Sequence, residues 1–174
     1  MRKIFQIFIC IYIVLSAGYL GGCEKRGKSD FFTIAVLPDT QYYSKTYPDI
    51  FLSQTQWLAE NASGLKLLCV IHEGDVVDYD DPQQWKNADT AISVLDEHDI
   101  PYCIAAGNHD SVNYNNHTRD SASFNKYFGV KRLASKKYYG GTLADQAENS
   151  YYFFEAAGQK IMVLCLEFGP RSET

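Results

Sequence analysis

The sequence predicts a layered α/β domain, and three observations lead to that class. Three continuous apolar runs, at residues 31–37, 65–71 and 102–106, have the length of strands. Two segments with helical periodicity lie between them, so strands and helices alternate along the chain. Apolar runs without alternation are typical of strands covered on both faces, as in a parallel sheet with helices on either side. The order therefore predicts a right-handed βαβαβ unit.

The first helix is predicted from Pro48 to Gly64. Proline suits the first turn of a helix, where its missing N–H costs nothing, and glycine is common at the end. Four apolar residues at roughly helical spacing predict a face that packs on the core. These residues are Ile50, Phe51, Trp57 and Leu58.

The second helix is predicted to begin at Asp81-Pro82, with the aspartate as N-cap. Gln84 stands where a capping box places Glu or Gln. The sequence HDIP at residues 98–101 is expected to end the helix. A second stripe of core residues recurs every three or four positions, at Trp85, Ala88, Ile92 and Leu95.

The pattern changes after residue 110. Residues 118–129 predict a short helix that ends at Gly129, and residues 136–142 are loop-like. Residues 150–168 predict two strands joined at Ala157-Gly158-Gln159, which is a hairpin connection that contains glycine.

The N-terminus has the plan of a secretory signal over residues 1–22, because two basic residues precede an apolar stretch. Leu20-Gly21-Gly22-Cys23 resembles the lipobox of bacterial lipoproteins, in which the cysteine is lipidated. The alternative is a membrane-spanning helix, but residues 4–20 would span only about 25 Å of a roughly 30 Å hydrocarbon layer. We therefore predict an exported protein of the cell envelope, anchored to a bacterial membrane through Cys23, with a polar tether at 23–30.

Composition and charge narrow the class of protein. A chain that is 46% hydrophobic and 21% charged is typical of a globular domain. Removal of the signal leaves 14 basic and 21 acidic residues, a net charge of −7. Binding to a nucleic-acid backbone requires an excess of Lys and Arg, so a chain with this negative net charge is not expected to bind nucleic acid.

Three cysteines lie inside apolar runs, at Cys69, Cys103 and Cys165, without the spacing of a zinc site. They are predicted to be small buried hydrophobic residues. The alternative is that two of them form one disulfide, and the sequence does not specify which pair.

Each of the first three strands is followed by polar residues that can bind a metal ion or transfer a proton. The segments are Pro38-Asp39-Thr40-Gln41, Gly74-Asp75-Val76-Val77-Asp78 and Gly107-Asn108-His109-Asp110. In an open α/β sheet, ligands bind beyond the carboxyl ends of the strands, so these segments should meet in one crevice. Carboxylates gathered there would repel one another unless a cation lay between them. The sequence thus predicts a metal site.

These residues resemble the calcineurin-like metallophosphoesterases, whose pattern is D-x-H, then G-D-x-x-D, then G-N-H-D or G-N-H-E. The likeness covers residues 31–170, and the opening LPDTQYYS resembles a bacterial secreted branch of the family. It implies a layered β-sandwich flanked by helices, of the αββα type. It also implies a phosphoesterase that hydrolyses small-molecule phosphomonoesters or phosphodiesters by a water that two metal ions activate.

The resemblance also implies roles for individual residues. Two divalent ions, of Mn, Fe, Zn or Mg, would be the cofactors. Asp39 would bind the first ion, Asp75 would bridge both, and Asn108 would bind the second. His109 would be the catalytic residue that donates a proton to the leaving oxygen or stabilises transition-state charge. Two further carboxylates, Asp78 and Asp110, would orient the loop and the imidazole.

The sequence departs from the family pattern in two ways. Gln41 stands where the family has a metal-binding histidine, and its amide oxygen suits Mg or Mn better than an imidazole site would. The later histidine ligands and the G-H-x-H loop are absent, since His117 alone follows His109. We therefore expect residues 31–174 to be the N-terminal part of a phosphoesterase domain, incomplete at its C-terminus, and this chain alone to be inactive.

Two other functions remain open. The first is a catalytically weak or inactive envelope binding protein on the same fold, which Gln41 and the missing histidines favour. The second is a nucleotide-binding domain without metals, which is disfavoured because no glycine-rich phosphate loop follows the first strand.

Overall fold

The computed structural model describes residues 31–112 and 120–169. The predicted signal at 1–22, the tether at 23–30 and Cys23 lie outside the described residues. In order, the elements are β1 Thr33–Leu37, α1 Gln41–Thr46, α2 Pro48–Leu65, β2 Leu67–His72, α3 Pro82–Glu97, β3 Tyr102–Ile104, α4 Ala122–Phe128, α5 Val130–Leu133, β4 Tyr139–Leu143, β5 Gln146–Ala156 and β6 Gln159–Cys165.

Parallel pairing joins β1, β2 and β3 in that order, so the predicted βαβαβ unit has its parallel sheet. The register aligns Leu37 with His72 and His72 with Ile104, so the three strands end side by side. Every residue of β3 is buried, as expected for a covered strand. The prediction is wrong for β1, where Val36 is 53% exposed, so the described residues leave part of this face of the strand uncovered.

Helix α2 confirms the predicted helix to within one residue at its end. Phe51 and Leu58 are buried, whereas Ile50 and Trp57 are exposed, so only half of the predicted stripe contacts the core. Phe51 and Leu58 are seven residues apart and lie on one face, while Ile50 and Trp57 lie beside it.

Helix α3 has the predicted N-cap, and all four residues of its predicted stripe are buried. The Asp81 carboxylate accepts hydrogen bonds from the N–H groups of Gln83 and Gln84, at 2.9 and 3.1 Å. The capping box is wrong, however. The side chain of Gln84 is buried and accepts a bond from the N–H of Asp78 at 2.8 Å, so it holds the preceding loop.

Antiparallel pairing joins β4, β5 and β6, and the predicted hairpin between residues 150 and 168 is confirmed. The predicted loop at 136–142 is wrong, because Tyr139–Leu143 is a strand. The reason lies in its glycines. A Cβ on Gly140 would lie 2.4 Å from the ring of Tyr151, so the absence of a side chain lets that ring cross β4.

Arg132, on the unpredicted helix α5, ties three elements together. Its guanidinium donates to Asp96 of α3 at 2.7 Å and to the Tyr102 hydroxyl of β3 at 2.7 Å, and it pairs with Asp89. Burial alone would raise the pKa of Asp96, but hydrogen bonds and charges from Lys136 and Arg132 hold that pKa below its usual value.

The three described cysteines are buried free thiols, as predicted for small residues of the core.

The hairpin has an outer face that is not covered by described residues. Tyr151 pairs with Leu164 and Phe153 with Met162, and all four side chains are exposed. Within the described ranges, no helix has both the length and the apolar character needed to cross a bilayer. The parallel and antiparallel sheets flanked by helices confirm the predicted α/β class.

Candidate functional site

Three loops follow β1, β2 and β3 at the same edge of the parallel sheet, as the sequence predicted. We name them the first loop (residues 38–41), the second loop (73–78) and the third loop (105–110). The N–H of Thr40 donates to the Asp75 carbonyl at 3.2 Å, which joins the first loop to the second. The N–H of His109 donates to Asp75 Oδ1 at 2.9 Å, which joins the second to the third. Asp75 therefore lies at the junction of all three.

The second and third loops approach so closely that only glycine fits at two positions. Gly74 has a φ of +103° and Asp75 has a φ of +51°, so the chain turns sharply where the carboxylate is presented. A Cβ on Gly107 would lie 2.1 Å from Asp75 Oδ1 and 2.3 Å from the Asp75 nitrogen. The glycine thus leaves room for the Asp75 side chain against the backbone of the third loop.

Asp110 joins the second loop to the third through hydrogen bonds to the backbone of both. Its carboxylate is 2% exposed and accepts hydrogen bonds from the N–H groups of Val76, Val77 and Gly107, at 2.8, 3.2 and 2.9 Å. Burial raises the pKa of Asp110 to about 7, although the three N–H donors favour the carboxylate form. Asp110 therefore holds the backbone of the second and third loops.

His72, the last residue of β2, is bonded to the first and second loops. Its Nδ1 accepts from the N–H of Gly74 at 3.1 Å, and its Nε2 lies 2.9 Å from the Thr40 hydroxyl. The ring is 0% exposed, and burial lowers the pKa of His72 to about 3, so the imidazole is neutral.

Asp39 and Gln41 form a compact oxygen-rich turn at the start of α1. The Gln41 N–H donates to Asp39 Oδ1 at 2.8 Å, and the Gln41 side-chain nitrogen donates to Asp39 Oδ2 at 2.7 Å. Oε1 of Gln41 is shielded from solvent and has no hydrogen-bond partner among the described residues. A shielded oxygen without a donor costs free energy, so it is a position where a cation would be stabilising.

His109 is held by the backbone of the second loop. Its Nδ1 lies 2.6 Å from the Asp78 carbonyl, which can only accept, so Nδ1 carries the proton. The Asp78 carboxylate pairs with Lys45 of α1 at 2.5 Å and lies 3.9 Å from His109 Nδ1. Asp78 thus orients the imidazole through its main chain. Asn108 is half-buried in the third loop, beside Gly107.

The residues present suit a hard divalent ion only in part. Among residues 31–112 and 120–169, no group of three or more His, Cys, Asp and Glu side chains is arranged to hold a metal ion. Among the oxygen donors of the three loops are the carboxylates of Asp39 and Asp75 and the amide oxygens of Gln41 and Asn108. Oxygen donors of this kind fit Mg²⁺ or Mn²⁺, and the unpaired Gln41 oxygen is the observation in favour of such an ion.

The sequence did not reveal the roles of three residues that build this site, which are Thr40, Lys45 and His72. Thr40 is the N-cap residue of α1 and Lys45 lies in its last turn; this six-residue helix has no side-chain cap bond and left no periodic signal. The sequence gives no sign of which groups the ring nitrogens of His72 contact.

Comparison with known proteins gives two matches. The family profile described as calcineurin-like phosphoesterase matches residues 32–169. A Bacillus subtilis (strain 168) protein, named uncharacterized protein YvnB, is 39% identical over 145 residues, which are 83% of this chain and 11% of that protein. The chain therefore spans about a tenth of the length of this relative.

Proposed function

The chain belongs to the calcineurin-like phosphoesterase family, and from that premise we propose that it is the N-terminal part of a metal-dependent hydrolase of small phosphomonoesters or phosphodiesters. The observation that carries the proposal is the position of Asp75, whose side chain and backbone join the loops that hold Asp39 and His109. A family with phosphoesterase-type chemistry and a crevice of oxygen donors point to the same reaction class.

Asp39, Gln41, Asp75 and Asn108 are the residues that would hold divalent ions. When bound, a pair of such ions supplies an acidified water and neutralises the phosphoryl oxygens. The chain's own contribution is orientation. Gln41 fixes both oxygens of Asp39, and the N–H of His109 fixes Oδ1 of Asp75, so neither carboxylate must reorganise before it binds a cation.

His109 is the proposed proton donor to the leaving oxygen. The Asp78 carbonyl holds Nδ1, so the ring presents its Nε2 edge away from that bond. In the imidazolium form of His109, Nε2 would give its proton to the leaving alkoxide and neutralise the charge that develops as the ester bond breaks, while Nδ1 keeps its own proton on the Asp78 carbonyl. The Lys45–Asp78 pair keeps the supporting loop in place.

The proposal is tested with the purified chain and Mn²⁺ or Mg²⁺, using p-nitrophenyl phosphate and bis-p-nitrophenyl phosphate as substrates. We expect stoichiometric metal binding that Asp75→Asn abolishes, and hydrolysis by the longer native protein that a chelator removes. Asp49→Asn, on the exposed surface of α2, is the matched carboxylate control. Failure of the longer protein to hydrolyse either ester in the presence of metal would contradict the proposal.

An envelope binding protein on the same fold is the second proposal, and Gln41 favours it. A neutral amide in place of an imidazole gives one ligand fewer of the type that binds transition metals tightly. Metal analysis of the native full-length protein separates the two functions, because two bound equivalents favour the enzyme and none favours the binding protein.

We also propose that the protein is exported and anchored to a membrane by lipid on Cys23, with cleavage before that residue. The support is the sequence of residues 1–23 alone. Expression in a bacterial host should give a product that partitions into detergent and carries a lipidated N-terminal cysteine by mass spectrometry. Cys23→Ser should move the product to the aqueous phase.

A further inference from the structure

We propose that His72 and Thr40 are a pair of positioning residues, which set the distance between the loop that carries Asp39 and the loop that carries Asp75. The inference rests on the proposed function, because the two aspartates are the proposed metal ligands. It assigns to a buried histidine at a strand end a role that neither its motif nor its exposure reveals.

The direction of each hydrogen bond in this pair follows from its chemistry. The Gly74 N–H can only donate, so His72 Nδ1 must be the unprotonated nitrogen. The neutral ring then carries its proton on Nε2, which donates to the Thr40 hydroxyl oxygen at 2.9 Å. The Thr40 hydroxyl proton is therefore available to the Val76 carbonyl, 3.3 Å away.

This chain of bonds begins and ends beside the proposed ligands. Gly74 immediately precedes Asp75, and Thr40 immediately follows Asp39. The N–H of Thr40 adds a direct bond to the Asp75 carbonyl at 3.2 Å, so Thr40 contacts the second loop with both its backbone and its side chain. A shift of either loop must therefore break bonds to the other.

Burial makes these bonds hard to replace. His72 is 0% exposed and Thr40 is 1% exposed, so water does not compete for the ring nitrogens or the hydroxyl. Loss of one partner leaves the other buried and unpaired, which favours movement of the loops until the polar groups find new partners. Partners that orient metal ligands from behind commonly affect metal affinity by about 10- to 100-fold.

The test compares three variants of the purified chain. Thr40→Val keeps the shape of the side chain and removes the hydroxyl, whereas Thr40→Ser keeps the hydroxyl. Thr55→Val is the matched control, because Thr55 is equally buried and its hydroxyl donates to the Leu52 carbonyl within α2, away from the three loops. The Mn²⁺ dissociation constant is measured by titration calorimetry, and amide hydrogen exchange is followed at Gly74 and Asp75.

We expect Thr40→Val to weaken Mn²⁺ binding by about tenfold or more and to accelerate exchange at both amides. Thr40→Ser should restore both values to near wild type, and Thr55→Val should lower the melting temperature without changing either. His72→Phe, which fills the ring volume without its nitrogens, should behave as Thr40→Val does and serves if that variant does not fold.

The outcomes separate this inference from the proposed function. If the wild-type chain binds Mn²⁺ and Thr40→Val matches Thr55→Val in affinity and exchange, the pair only fills space and the inference is wrong. If the wild-type chain binds no Mn²⁺, the proposed metal site fails, and the positioning role fails with it.

Discussion

At the scale of single residues, the site depends on the absence of a side chain as much as on the presence of carboxylates. Gly107 has an unremarkable φ, yet a Cβ there would overlap the Asp75 carboxylate and nitrogen. The glycine of the G-N-H-D segment creates the space in which the side chain of Asp75, in the second loop, lies.

Gly107→Ala should lower the free energy of unfolding by at least about 2 kcal/mol and abolish Mn²⁺ binding, because Asp75 must move to admit the methyl group. Urea unfolding and calorimetry are the measurements. Gly64→Ala is the control: no atom lies within 4 Å of its added Cβ, and it should stabilise α2 by about 0.5–1 kcal/mol. Equal effects at the two positions would rule out the steric explanation.

Gln41→His should change the metal preference of the first loop. An imidazole in place of the unpaired amide oxygen suits Zn²⁺ better than Mg²⁺, so we expect the Zn²⁺ affinity to rise about tenfold relative to that for Mg²⁺. Gln54→His is a matched control, because Gln54 on α2 also has a shielded, unpaired Oε1 but lies outside the three loops. An equal rise in Zn²⁺ affinity in the control would show that the change does not depend on the first loop.

His72 should make folding stability depend on pH. Its pKa is about 3 in the folded protein and about 6.5 in the unfolded chain, so the unfolded state takes up the proton first. The stability present at pH 7 is lost as the pH falls from about 6.5 towards 3, by about 2 kcal/mol between pH 7 and 5.

Urea unfolding at pH 7, 6 and 5 measures this loss, and His72→Phe is the comparison. Asp110 titrates in both proteins, so its contribution cancels in the difference. The two proteins should diverge as the pH rises from 5 to 7, with the wild type gaining stability relative to the variant. Parallel curves would mean that the histidine is not neutral in the fold.

At the scale of elements, the long periodic segments could be predicted, and so could the short helix α4, which lies within the predicted helix at 118–129 and ends before Gly129, but α1 and α5 could not. Helices α2 and α3 follow from proline starts and apolar stripes, whereas α1 and α5 have six and four residues. Bonds to residues far along the chain stabilise these two helices. Asn87 of α3 donates to the Ser44 carbonyl of α1, and Arg132 of α5 donates to Asp96 of α3. Such contacts have no local signature, because propensity is a weak guide when tertiary bonds decide.

Asp81→Ala should lower the free energy of unfolding by about 1 kcal/mol, because the N–H groups of Gln83 and Gln84 lose their acceptor. Ser121→Ala is the comparison, since Ser121 stands at the N-cap of α4 without a side-chain bond to it. Its effect, measured by the same urea titration, should be clearly smaller. Similar losses would show that the cap bonds of α3 add nothing.

At the scale of the whole molecule, the α/β class follows from the order of apolar runs, and the meeting of the three strand-end loops follows from parallel pairing. What the sequence could not show is how each donor is held. The unpaired oxygen of Gln41 and the main-chain bond to His109 depend on side-chain directions and loop turns. The exposure of Val36 could not be predicted either, since an apolar run does not say whether another element covers the strand.

The outer face of the hairpin predicts self-association. Leu164→Lys should reduce binding of the dye ANS and association at high concentration, while the free energy of unfolding changes by less than about 0.5 kcal/mol. Phe154→Ala, on the buried face of β5, should cost about 3 kcal/mol or more and leave dye binding undiminished. Undiminished dye binding in Leu164→Lys would show that this face is not the exposed apolar surface.

The three buried thiols on β2, β3 and β6 allow the local unfolding of each strand to be measured by thiol labelling. A thiol reagent in water cannot reach Cys69, Cys103 or Cys165 while the strands are packed, and each becomes reactive only when its strand separates. Labelling rates at the three sites would therefore report, without any engineered probe, whether the hairpin detaches before the parallel sheet or both come apart together.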